Sequence, residues 1–258
     1  MLIILLASIF SSILLPTIGC VLVWNRYANL GDGIIHILLL SALINAITHT
    51  PLFVATAIVA IAFVLLSTCL KLYFNEHNIV LNIATTSLIA LGIVISDRLN
   101  ISLEIESILL GDIFLANRQD VYLLATLAAI VGVLLYKYFN TIIILSINEE
   151  LAFSYGIKTQ TLHLAILFIA ALCISALVQV IGGLMVNSLL LIPVFFARMI
   201  SNTPGKMLAV SIFFSVIVNL ASLVIGITLD LPVAATNILA QMSILFLTFC
   251  SKKYIFDL

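Results

Sequence analysis

The sequence predicts an all-α, polytopic integral membrane protein: a helical bundle of about nine spans, with the N-terminus outside and the C-terminus in the cytoplasm. Three observations carry that reading. Of 258 residues, 64% are hydrophobic and only 8% charged, against roughly 25% charged in a soluble domain. The charges cluster at intervals and leave apolar runs long enough to cross a bilayer, which needs about 20 residues at 1.5 Å each. Under a nine-span count, the basic residues segregate. Arg26, Lys71, Lys137, Lys158, Arg198, Lys206, Lys252 and Lys253 fall on one side, and only Arg98 and Arg118 on the other, a positive-inside asymmetry. The net charge of −1 leaves no basic patch for a nucleic acid. Residues 1–258 read as one transmembrane domain without an internal repeat or a linker.

The elements follow in order. The N-terminal run lacks the basic start of a secretory signal and continues past Cys20 to Trp24, so it reads as a retained first span, 2–23, bent near Pro16. From Gly33 to Leu70 there is no Lys, Arg, Asp or Glu, which is too long for one crossing. The break falls at His49-Thr50-Pro51, because proline disfavours helix in the residue before it, and yields spans 34–48 and 52–70. Spans 79–96 and 121–139 flank residues 99–115, which carry Glu104 and Glu106 among Ile and Leu. That stretch reads as amphipathic and interfacial. Residues 141–147 are too short to cross, and either extend the fifth helix or form a loop. The run from Leu162 to Ala197 must fold back at Gly182-Gly183, giving 162–179 and 184–199; Asp230-Leu231-Pro232 separates 208–229 from 233–250. Cys20, Cys69, Cys173 and Cys250 have neither metal-knuckle nor disulfide spacing, and read as ordinary core residues. His77 and His163 fall at cytoplasmic span ends, where contact with water or head groups is the expectation.

Two segments carry chemistry. Asp32 and His36 lie four residues apart at the mouth of an apolar run, on one helix face with Cβ atoms roughly 6 Å apart. An ionisable residue at membrane depth marks an ion path, a proton relay or a paired structural charge. A carboxylate oxygen and an imidazole nitrogen suit one divalent cation; the structural alternative is a capped helix with a satisfied histidine. The second segment is Asn148-Glu149-Glu150-Leu151-Ala152-Phe153-Ser154-Tyr155-Gly156, in the one long cytoplasmic loop. Asn148 suits an N-cap, the glutamates suit the first turn, and Gly156 suits the C-terminal stop. Leu151, Phe153 and Tyr155 would offer apolar anchors to a partner, or the segment is simply a solvated connector.

Taken together, these residues resemble a family. Trp24-Asn25-Arg26-Tyr27-Ala28-Asn29-Leu30-Gly31-Asp32-Gly33-Ile34-Ile35-His36 is similar to the Gly-Asp-x-x-x-His segment of zinc-type permeases, the membrane subunits of ATP-binding-cassette importers for zinc, manganese or iron. Leu110-Gly111-Asp112-Ile113 resembles the family's external turn, and Glu149 to Gly156 its ATPase-docking helix. Ile181 to Pro193 resembles the family's Gly-x-Leu…Leu-Leu-Ile-Pro span, although Asn187-Ser188 is more polar than expected there and Phe195-Phe196 replaces small residues. The resemblance implies a permease in a bacterial plasma (inner) membrane that takes up a divalent metal, zinc first. Asp32 and His36 would hold the ion in transit, and no cofactor would be permanently bound. It implies as partners a cytoplasmic ATP-binding subunit docked on Glu149, Glu150, Leu151, Ala152, Phe153, Tyr155 and Gly156, an extracytoplasmic metal-binding protein meeting 97–120 and 230–232, a second copy of the chain, and the lipid bilayer.

The chain is not expected to be an enzyme. Gly205-Lys206 lacks both the upstream glycine and the following hydroxyl of a phosphate loop. A secondary carrier working without an ATPase is the competing class, since intramembrane Asp and His also serve proton relays. An intramembrane metalloprotease has little support, because no His-Glu-x-x-His occurs.

Overall fold

The computed structural model describes residues 1–36, 38–71, 77–99, 111 and 113–256. Among them the chain is helical, with no strand. In chain order the helices are α1 (Leu2–Trp24), α2 (Leu30–His36), α3 (Leu38–Thr48), α4 (Leu52–Lys71) and α5 (His77–Leu99), then a 3-10 turn at Ile113–Leu115. They continue with α6 (Arg118–Ile147), α7 (Glu149–Ser154), α8 (Thr159–Ile181), α9 (Gly183–Ile200), α10 (Pro204–Leu229) and α11 (Val233–Phe256). Nine segments among the described residues are long and apolar enough to cross a bilayer, in agreement with the nine expected.

The expected breaks fall where backbone chemistry puts them. His49 takes a left-handed φ of 54° between α3 and α4, and the Asn45 amide donates to the Thr50 carbonyl at 2.6 Å across the turn. Gly182 (φ 81°, ψ 157°) is at once the last cap of α8 and the first of α9. Asp230 closes α10 in the left-handed region, with the Leu231 amide returning to the Gly226 carbonyl at 3.0 Å. Several span ends lie a few residues outside the expected bounds, as at α5, α8 and the start of α10 at Pro204. The second span starts at Leu30 rather than residue 34 and runs to Thr48. Residues 141–147 take the first of their two expected courses and prolong α6, which is 30 residues long. It starts on a reciprocal capping box in which Asn117 accepts from the Gln119 and Asp120 amides and Asp120 accepts from the Asn117 amide. α1 runs through Pro16 as one helix. The amphipathic stretch expected at 99–115 lies outside the described residues except for Leu99, Gly111 and Ile113–Leu115; Leu110 and Asp112 are likewise outside.

α8 is the most enclosed span, followed by α1, the second span and α9, whereas α6 and α11 leave most of their surface uncovered. α1 packs on α6, α9 and α10, and α4 lies along α8. Of the four free cysteines, Cys20 and Cys173 are buried as expected, but Cys69 is exposed and Cys250 half-buried.

A polar seam runs through this apolar bundle. The Asn219 amide on α10 donates to Ser12 Oγ at 2.6 Å and to the Ser8 carbonyl at 3.1 Å, both on α1. The Asn237 amide on α11 donates to Asn219 Oδ1 at 2.9 Å, and Gln241 donates to Asn237. All five side chains are fully buried. With no water in the hydrocarbon, interhelical bonds of this kind hold helices that have little other reason to associate. Asn219→Ala removes the amide that joins α1 to α11. It is expected to cost about 1–2 kcal/mol, read as a lower thermal unfolding midpoint in detergent, with the helical content of the folded protein unchanged.

Candidate metal path and coupling segment

The approach to Asp32 is built by a reversal after α1. Asn25 ties back to the Val21 carbonyl at 2.8 Å, Arg26 turns the chain with a φ of 64°, and the Tyr27 amide donates to the Leu22 carbonyl at 2.8 Å. The Tyr27 carbonyl then accepts from the Leu30 amide at 3.0 Å, which starts α2. α2 wedges against α5, α8 and α9, and glycine on both sides of Asp32 permits it. A Cβ at Gly31 would stand 2.9 Å from Leu190 Cδ2, and one at Gly33 would stand 2.7 Å from Phe63 Cζ and 2.8 Å from Thr85 Oγ1. Leu30, Ile34 and Ile35 complete the buried face.

Asp32 and His36 occupy the open face, 54% and 51% exposed, with His36 Nε2 3.5 Å from Asp32 Oδ1. Asn187 on α9 donates from Nδ2 to the same Asp32 oxygen at 3.4 Å. Asn187 lies four residues beyond Gly183, about 6 Å along α9, so the group sits within the span and not beyond its end. Half-exposed ionisable side chains at such a place face a water path or protein rather than lipid. Among the described residues, no three of His, Cys, Asp and Glu cluster as a closed metal cage. The arrangement therefore offers an open set of donors rather than a storage site.

The segment that follows Asn148 folds as α7. Asn148 accepts from the Glu150 and Leu151 amides at 2.8 and 3.2 Å. The helix ends in a Schellman closure, with Gly156 at φ 75°, its amide on the Phe153 carbonyl and the Ile157 amide on the Ala152 carbonyl. Ala152 is fully buried and seats the helix, whereas Leu151, Phe153 and Tyr155 are exposed, the last two 75% and 70%. These sit beside the exposed Glu149 and Glu150 as an apolar and acidic patch.

His163 departs from expectation. It is buried rather than solvated, with Nε2 3.4 Å from Glu149 Oε1, and it meets Tyr27 edge to face at 5.7 Å between ring centres. Burial, and then the nearby Glu149 charge, hold the Tyr27 hydroxyl well above the usual tyrosine range, so it stays neutral as a donor. One chain of contacts thus runs from the first residue of α7, through α8, to the turn that launches α2. No spacing rule brings Glu149, His163 and Tyr27 together, which is why the sequence reading passed over the last two. The side chain of His77 lies outside the described residues. At the far ends of the spans, Gly111, Ile113 and Phe114 meet Met185 and Asp230-Leu231-Pro232 around a cavity of about 340 Å³, joining the two segments expected to form one docking face.

The chain is similar along its whole length to known permeases. It is 27% identical over 254 residues, 96% of each chain, to the high-affinity zinc uptake system membrane protein ZnuB of Buchnera aphidicola subsp. Schizaphis graminum. It is 22% identical over 250 residues to the manganese import system permease protein ScaB of Streptococcus parasanguinis, covering 95% of this chain and 88% of that one. Its fold matches the solved structure of PsaBC from Streptococcus pneumoniae in complex with Fab, with a TM-score of 0.80 and 21% identity over 95% of this chain and 89% of that one. The model of the ABC 3 transport family matches residues 1–252, and the chain belongs to that family.

Proposed function

We propose that this protein is the membrane-spanning permease of an ATP-driven importer that takes up a divalent metal ion, zinc first, through a path between two copies of the chain. The observation that carries the reading is the placement of Asp32 and His36, half exposed within a span and 3.5 Å apart, in a chain that matches metal permeases from end to end. Two ligands per copy plus water bind an ion firmly enough to admit it and weakly enough to release it. Manganese is the second reading, favoured by the manganese permeases among the relatives, whose identity to this chain is only slightly lower.

ATP is hydrolysed by a separate cytoplasmic subunit, which docks on Glu149, Glu150, Leu151, Phe153 and Tyr155 of α7, with Ala152 and Gly156 setting the shape of that helix. Its movement reaches the metal pair through Glu149, His163 and Tyr27, a rigid-body switch between outward and inward states. An extracytoplasmic metal-binding protein delivers the ion at the cavity that Gly111, Ile113 and Phe114 form with Asp230-Leu231-Pro232. The N-terminus then lies outside, the C-terminus in the cytoplasm, and the protein in the inner membrane of a bacterium, as the eight-to-two division of basic residues supports.

Asp32→Asn and His36→Ala are each expected to lower radiometal uptake by at least about tenfold at normal membrane abundance. Asparagine keeps the volume of aspartate and removes only its charge, so near-normal uptake in either variant would take the pair out of the path.

Gly156→Val places a branched Cβ at a left-handed φ of 75° and should open the Schellman closure. The expected result is continued ATP hydrolysis with uptake lost and delivery-protein binding retained; normal uptake would make α7 a connector.

In sealed cells, an impermeant thiol reagent should label cysteine placed at Asn117 and spare Ser154 and Ser201. Labelling at Ser154 would invert the topology and remove the coupling assignment with it.

A further inference from the structure

We infer that Asn187 is a third donor of the metal site and tilts it toward four-coordinate ions such as zinc. The inference rests on the reading of Asp32 and His36 as ligands and adds a residue from a different helix. Asp32 Oδ1 is the hub: His36 Nε2 lies 3.5 Å from it and the Asn187 amide end lies 3.4 Å from it. Both separations exceed the usual 2.7–3.2 Å of an N–H···O bond. Around a four-coordinate cation with bonds of about 2.0–2.2 Å, neighbouring donors stand about 3.3–3.6 Å apart. Around an octahedral ion with bonds near 2.1 Å, they stand about 3.0 Å apart. The spacing about Asp32 suits the first.

The other end of the same side chain supplies the second observation. Asn187 Oδ1 is buried and has no hydrogen-bond partner among the described residues. A buried carbonyl oxygen without a partner is costly, and this one lies on a side chain whose two ends are nearly equal in size. A half-turn about the last side-chain bond exchanges them and forfeits nothing on the buried side. Without an ion, the N–H end faces the Asp32 carboxylate and offsets its charge. With an ion, the oxygen end turns to the cation beside Asp32 and His36, and the N–H end takes the place where the oxygen lacked a partner. The close seat of α2 makes the reach possible, since Gly31 presents only hydrogen toward Leu190 and Asn187. A neutral donor adds coordination without the extra charge that would trap the ion.

The test uses the permease purified with its ATPase subunit, with zinc and manganese affinities each measured by competition against a chelating dye. Asn187→Leu, close in volume but without an oxygen, is expected to weaken zinc binding at least about tenfold and manganese binding distinctly less, so that the zinc-to-manganese affinity ratio falls. An equal loss for both metals would mean that Asn187 only holds Asp32 in position, and no loss would mean that it does neither; either result overturns the inference. Asn187→Ala gives the same readout if the leucine variant fails to assemble. Asp32→Asn separates the two levels. If it still binds zinc normally, the metal-pair reading itself fails; if it loses zinc while Asn187→Leu leaves the ratio unchanged, only the third donor fails.

Discussion

The constraint on which the structure depends is the absence of water within the hydrocarbon of the bilayer. Each backbone N–H and C=O there must be met inside the chain, which restricts the spans to helices, and each polar side chain must find protein or line a wet path. Two solutions stand side by side in this molecule. Ser8, Ser12, Asn219, Asn237 and Gln241 are fully enclosed and joined by hydrogen bonds through the Ser8 carbonyl, Ser12 Oγ and the three amide side chains, while Ser8 Oγ and Gln241 Oε1 have no partner among the described residues. Asp32 and His36 are half exposed with long contacts. The first group spends its polarity on holding helices together, and the second leaves it available to something not part of the chain.

That division is sharpened by small residues. Gly31 and Gly33 let α2 press against Leu190, Phe63 and Thr85, so the carboxylate between them is displayed from a rigid wedge rather than a loop. A site mounted this way moves when the wedge moves. The contact from Glu149 through His163 to Tyr27 ends three residues before α2, which gives α7 a short mechanical reach to Asp32 and His36.

Much of this was legible in the residues. Span number and breaks followed from charge-free runs too long for one crossing, and from Pro51, Gly182 and Asp230, because helix length and proline chemistry are local rules. The cap at Asn148 and the stop at Gly156 were legible for the same reason. The start of the second span at Leu30, the choice between extension and loop at 141–147, and the burial of His163 were not. They depend on which helices become neighbours, and a sequence with apolar residues on every face of its spans carries little periodicity from which to read that. The polar seam left a trace that went unread: Ser8 and Ser12 on α1, and Asn237 and Gln241 on α11, are each four apart. Asn187 stood out only as an unusually polar residue in an otherwise familiar span, because its contact with Asp32 depends on α2 packing beside α9.

The polar seam also bears on how the protein is made. Asn219 bonds to a serine 207 residues earlier and to an asparagine 18 residues later. When α10 emerges from the ribosome, its amide meets an α1 that entered the membrane long before, while its other partner is still to be synthesised. α10 therefore enters lipid carrying Ser211 and Asn219, and α1 must still be close by to receive them at Cys20, Ser8 and Ser12. The bundle closes around α1, and α11, translated after α10, completes the seam through Asn237 and Gln241.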